Sequence, residues 1–214
     1  MPHPRWNDEY WLLLMQLYLK KPVGLKPLYS RAMVAMSLEL HIPPQYLHQQ
    51  MFRLRSLDTP RLERLWNEYS KRPQKLARVV KMLRQRPEFN ADAGFFEGVA
   101  MNETFECDFR PIAEDEKLTP VMLIMVLNLY FQLTPNTMVE QTPEVKELAQ
   151  LIKLTPQNII HLMHIYQMCD PYLKVQPNPD EPLLRPCQNI WNRYGGENTQ
   201  PLEAMALQLR AYFK

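Results

Sequence analysis

Apolar residues recur along this chain in short blocks at helical spacing. Each block is opened by a capping residue or a Thr-Pro or Pro-Pro step and closed by a turn. The first block, from an Asn7 or Asp8 cap through Lys20, is apolar on nearly every side (Trp11, Leu12, Leu13, Leu14, Met15, Leu17, Tyr18, Leu19), which predicts a helix central to its domain. After a connector from Lys21 to Pro27, Ser30 offers a cap for a helix over Arg31 to Leu40, with Met33, Met36 and Leu40 inward. A turn at His41-Ile42-Pro43 leads to Pro44 at the first position of a third helix, running to Leu57. Thr59-Pro60 starts a fourth, with Leu62, Leu65, Trp66 and Tyr69 at i, i+3, i+4 and i+7. A fifth runs from about Pro73 to Gln85 with Leu76, Val79, Val80 and Leu83 on its inner face. Thr119-Pro120, Thr142-Pro143 and Thr155-Pro156 then open three more helices, through Phe131, Ile152 and Met168.

These blocks repeat. At a spacing of 112 residues, Trp6 to Thr59 lies over Leu118 to Pro171 without a gap. LLLMQLYL falls on IMVLNLYF, Pro44-Gln45 on Pro156-Gln157, Met51 on Met163 and Asp58 on Asp170. LWNEY at Leu65 answers IWNRY at Ile190 with an offset of 125, so the second copy carries extra residues around Gln176 to Pro186. The fold expected is all-α: two tandem helix-turn-helix-containing domains related by internal duplication. They would occupy residues 1–88 and 118–214, joined by a linker over 89–117 packed through Phe95, Phe96 and Phe105.

Composition supports helices: 5 Gly and 13 Met, with few β-branched runs, in a chain 46% hydrophobic and 22% charged. No apolar stretch reaches the roughly 18 residues needed to span a bilayer, and the N-terminus lacks a signal-peptide layout. Cys107, Cys169 and Cys187 are odd in number and have no CxxC spacing, which points to a reducing cytoplasm and away from disulfide or zinc frameworks. The net charge of +2 hides a segregation. Arg53 to Arg86 holds 11 Lys/Arg against 3 Asp/Glu, Pro87 to Lys117 holds 2 against 9, and Leu118 to Lys214 holds 7 against 8. If the protein meets a polyanion, its first half does so.

Helices two and three of each repeat, with their short turn, have the outline of a helix-turn-helix. In the first copy, Leu47, Met51 and Leu54 would anchor the third helix. Gln45, His48, Gln49, Phe52, Arg53 and Arg55 would face outward. Gln and Arg carry the paired donors and acceptors that suit adenine and guanine edges in a major groove. The second copy presents Gln157, Ile160, His161, His164 and Gln167 there, with no Lys or Arg. A second candidate surface is the fifth helix. Lys75, Arg78, Lys81 and Arg84 oppose its apolar face, and Lys71 stands just before it, a layout suited to phosphates. Each of these faces also reads as ordinary solvated surface, and the acidic stretch that follows could neutralise the basic helix within the molecule.

LTPVMLIMVLNLYFQ…TPEVKELAQLIKLTPQNIIHLMHIYQMCDP resembles the small helical module at the N-terminus of some bacterial HNH-type endonucleases. In that module a helix ending in LNLYF precedes an ELA-LI-TP helix-turn-helix that closes on Asp-Pro. The match covers about 54 residues of each half, and the nuclease part is lacking. The resemblance implies nucleic-acid binding by the third helix. His3, His41, His48, His161 and His164 form no His-Asn-His pattern, His161-x-x-His164 with Cys169 is a weak metal motif, and no P-loop or Ser/His/Asp set is evident. No catalysis, cofactor or metal is expected. The expectation is a cytoplasmic, regulatory DNA-binding protein that grips double-stranded DNA through its first repeat. The second repeat would serve self-association or a protein partner, and no membrane is involved. The alternative is a helical protein-interaction scaffold without a nucleic-acid role, which would display an exposed apolar patch.

Overall fold

A computed structural model of the chain describes residues 3–86, 89, 104–196 and 198–214. All regular structure among them is helical. The chain divides into two compact units, Met1–Glu103 and Thr104–Lys214. Phe95 and Phe96, expected to pack the linker, lie outside the described residues.

In the first unit α1 (Tyr10–Leu19) is the central helix, burying Trp11, Leu13, Leu14, Met15 and Leu17. It packs against α3 (Pro44–Ser56) and α5 (Pro73–Arg84); α2 (Arg31–Leu40) lies on α3, and α4 (Pro60–Tyr69) on α5. One core joins Met33, Ile42, Leu47, Met51 and Leu54 to Leu62, Leu76, Val80 and Leu83 from the later helices. Burying such side chains stabilises by about 1.5–3 kcal/mol each, which holds together helices too short to persist alone.

The second unit begins with a short helix, α6 (Thr104–Asp108), inside the stretch read from sequence as linker. Phe109, just after it, is buried and meets the Tyr212 ring at 5.0 Å, while the Arg193 guanidinium grips Asp108 through two hydrogen bonds of 2.6 and 2.7 Å. The acidic residues from 104 onward thus fold with the second unit. Its central helix is α7 (Pro120–Gln132), which packs against α8 (Pro143–Ile152), α9 (Pro156–Cys169), α10 (Leu184–Tyr194) and α11 (Gln200–Phe213).

The backbones correspond at the 112-residue offset. α2 shifted by 112 gives the bounds of α8, and Pro44 and Pro156 both open the following helix. His41 (φ 52°) and Lys153 (φ 60°) both end their helices in the left-handed region. In each, the next amide closes the same C-terminal bond, Ile42 N–H to the Ser37 carbonyl and Leu154 N–H to the Ala149 carbonyl. Leu47/Ile159, Met51/Met163 and Leu54/Tyr166 are fully buried at matched positions.

The caps are less uniform than the Thr-Pro pattern implies. Thr155 forms a full capping box with Asn158, and Thr59 accepts from the Leu62 amide. Thr142 instead turns its hydroxyl to the Thr137 carbonyl at 2.5 Å, and the buried Ser30 and Thr119 hydroxyls have no partner among the described residues. Proline at the first helical position has no amide hydrogen and its φ is already set for a helix, so it starts the helices after Thr59, Thr119, Thr142 and Thr155 whether or not the cap bond forms.

Candidate nucleic-acid interface

α3 presents the expected outer face, but several of its side chains are already engaged. Gln45 donates from its amide to the Tyr29 hydroxyl at 2.7 Å. Arg53 pairs with Asp58 at 2.6 Å, reaches the Gln50 carbonyl oxygen at 3.1 Å and lies 5.7 Å from the Trp11 ring centroid. His48 stacks edge-on against Phe52, which is 47% exposed. Gln49 and Arg55 stay exposed. The outer face of the helix therefore keeps two polar side chains without a hydrogen bond among the described residues, beside the His48–Phe52 pair.

α5 is more open. Leu76, Val80 and Leu83 are buried while Lys75, Arg78, Lys81 and Arg84 are exposed, with Lys71 and Arg72 in the turn before it. Arg84 is held by the Glu39 carboxylate at 2.6 and 2.9 Å, which raises its pKa above the ordinary guanidinium value. Lys75 pairs with Glu68 at 2.7 Å and lies over the Tyr69 ring; its hydrogen bond lowers the Glu68 pKa. Among the described residues, Lys71, Arg72, Arg78 and Lys81 make no ion pair, and Arg78 and Lys81 share one stripe of the helix.

The wider field favours anions as well. Residues 1–86 contain 16 Lys/Arg and 6 Asp/Glu. Among the described residues, five of those six acids (Asp8, Glu9, Glu39, Asp58 and Glu68) are each tied to one cation, and the same unit carries four more acids between Pro87 and Glu103. From Thr104 to Lys214 the balance is 9 basic to 13 acidic. In that unit His161 sits 3.5 Å from Glu181 and His164 contacts Gln167 at 3.1 Å, so the two imidazoles engage different neighbours.

Sequence reading missed the counter-ions. Asp58 is visible five residues beyond Arg53, but Glu39 reaches Arg84 across 45 positions, a contact that tertiary packing alone creates. It also missed a groove present in each unit. In the first, α1, α2 and α5 enclose about 550 Å3; in the second, α7, α8 and α11 enclose about 350 Å3. Seven pairs of lining residues match at the 112 offset: Leu13/Met125, Gln16/Asn128, Leu17/Leu129, Lys20/Gln132, Ala32/Glu144, Ala35/Glu147 and Met36/Leu148. In each groove an arginine is bound to a glutamate of another wall, Arg84 of α5 to Glu39 of α2 and Arg210 of α11 to Glu147 of α8. The overlay of the two repeats contained this signal, because both grooves lie where the same faces meet.

Compared with known proteins, the chain matches no family model, no curated protein and no solved structure. The class defined by the coordinates is an all-helical protein of two compact units. No helix among the described residues is long and apolar enough to cross a membrane.

Proposed function

We propose that the first unit binds double-stranded DNA through its phosphate backbone, with α5 and the turn before it as the main contact. The reading extends to a non-catalytic, cytoplasmic regulator built by duplication of one helix-turn-helix unit, akin to the helical module of HNH-type endonucleases. The observation that carries it is the set of exposed cations Lys71, Arg72, Arg78 and Lys81, which make no ion pair among the described residues, in a unit with 16 basic and 10 acidic residues. Each phosphate neutralised by such a side chain releases condensed counterions, so affinity comes without base contacts. α3 contributes less than its composition implies. Arg53 and Gln45 are already satisfied, so Gln49, His48 and Arg55 add a modest share. Strong sequence preference is therefore not expected. The matched helix bounds, left-handed turn residues and groove positions support common descent of the two units.

The test is fluorescence anisotropy of the full chain against a labelled random duplex over a salt series. Log affinity should fall linearly with log salt. A flat response, micromolar or weaker at low salt, would leave the protein-interaction scaffold as the better reading. That second reading is favoured by one specific observation, an open groove in the same place in both units.

A further inference from the structure

We infer that the groove of the second unit takes an amphipathic, basic helix of a partner protein, a role independent of any DNA contact by the first unit. The floor comes from α7 and α8, with Met125, Leu129 and Leu148. One rim comes from α11, where Leu207 is 71% exposed, too open for a residue serving only its own core. The residues contributed by α7 (125, 128, 129, 132) and by α11 (203, 206, 207, 210) both run at i, i+3, i+4 and i+7. Each stripe spans two turns, so the trough fits two turns of a guest helix anchored at the same spacing.

Charge decides the guest's chemistry. Glu147 is bound by Arg210, but Glu144 on one wall and Glu203 on the other are exposed and make no ion pair among the described residues. Two exposed carboxylates, one from α8 and one from α11, thus line the same groove as Met125, Leu129 and Leu148. Lysines or arginines flanking a leucine stripe would meet them, while an acidic helix would be repelled. The first unit sharpens this. There Ala32 and Ala35 stand where the second unit has Glu144 and Glu147, and the one carboxylate lining the matched groove, Glu39, is held by Arg84. A similar helix arrangement makes the trough in both units, and Glu144 and Glu203 make this one selective for cations.

The probe is a fluorescein-labelled peptide of about 14 residues, roughly four helical turns, with leucines at i, i+3, i+4 and i+7 and lysines elsewhere. It is titrated with the full-length protein. Saturable binding in the micromolar range is expected, weakened at least ~10-fold by Leu207→Asp and, separately, by Glu144→Lys with Glu203→Lys. All three side chains are exposed, so the fold should persist, and thermal melting checks this. The proposal is overturned if neither variant changes the affinity, or if a version with glutamates for lysines binds as well. It is equally overturned if a version with serines for leucines does. A concentration-dependent dimer of the protein alone, abolished by Leu207→Asp, would overturn it too, by showing a second copy as occupant. Retained DNA binding in these variants separates this failure from that of the first-unit reading.

Discussion

The two units share a plan and differ in what they show to solvent. The first sets 16 basic against 10 acidic residues over Met1–Glu103, and the second 9 against 13 from Thr104 onward. Inside, the matched positions remain apolar: Met33 and Val145, Leu47 and Ile159, Met51 and Met163 are all fully buried. Buried positions are constrained by packing density, so change there is costly. Exposed positions tolerate charge reversal at little cost in stability, and there the units differ. Under the two readings proposed above, one helical plan would carry a polyanion-facing surface in one unit and a cation-facing groove in the other.

The comparison can be broken most severely at the cores. Met51→Ala and Met163→Ala should each destabilise by roughly 2–5 kcal/mol, because both side chains are fully buried in equivalent sites. Thermal unfolding of the two variants would sink the structural equivalence if one were near neutral. The charge difference is tested next. Replacing Lys71, Arg78 and Lys81 together by alanine should lower DNA affinity by about 100-fold at low salt and flatten the salt slope by about 2.7, for three lost phosphate contacts. Replacing Lys146, Lys153 and Lys174 of the second unit should leave both quantities unchanged.

The thiols give a third contrast, since all three cysteines belong to the second unit. Burial pushes Cys169 up to about 11 and Cys187 up to about 12, whereas Cys107 is exposed. At mildly alkaline pH a thiol reagent should label Cys107 rapidly in the native protein and the other two only on unfolding. The sign of the linkage follows from the raised values. Both buried thiols stay protonated in the folded state while the unfolded chain releases its protons near the ordinary thiol pKa. The stability they contribute is therefore whole below pH 9 and is lost as pH rises through the folded values of about 11 and 12. In that window each thiol adds a slope of about 1.4 kcal/mol per pH unit, and Cys187→Ala should remove its share from urea unfolding curves.

The smallest effect should come from the left-handed residues. His41→Gly and Lys153→Gly relieve the same φ, 52° and 60°, and each should stabilise by about 0.5–1 kcal/mol. Opposite signs in a thermal melt would break the correspondence of the two turns.

Much of the helical order was legible beforehand because proline and apolar spacing act locally. Pro44, Pro143 and Pro156 fix the starts of α3, α8 and α9, and the wholly apolar α1 and α7 had to be central. The caps were less legible, since whether Thr142 or Ser30 satisfies an amide depends on competing partners nearby. Of the candidate site, the basic stripe of α5 was readable from its period, while the engagement of Arg53, Gln45 and Arg84 was not.

By itself the sequence determined the all-helical plan, the repeat and the segregation of charge, because spacing, proline geometry and formal charge are properties of short stretches of chain. Only the tertiary structure decided which cations are held by Asp58, Glu68 and Glu39, that Asp108 folds back to Arg193, and that three helix faces in each unit leave a groove. Those outcomes join side chains as many as 85 residues apart, and packing, rather than any local preference, sets their distance.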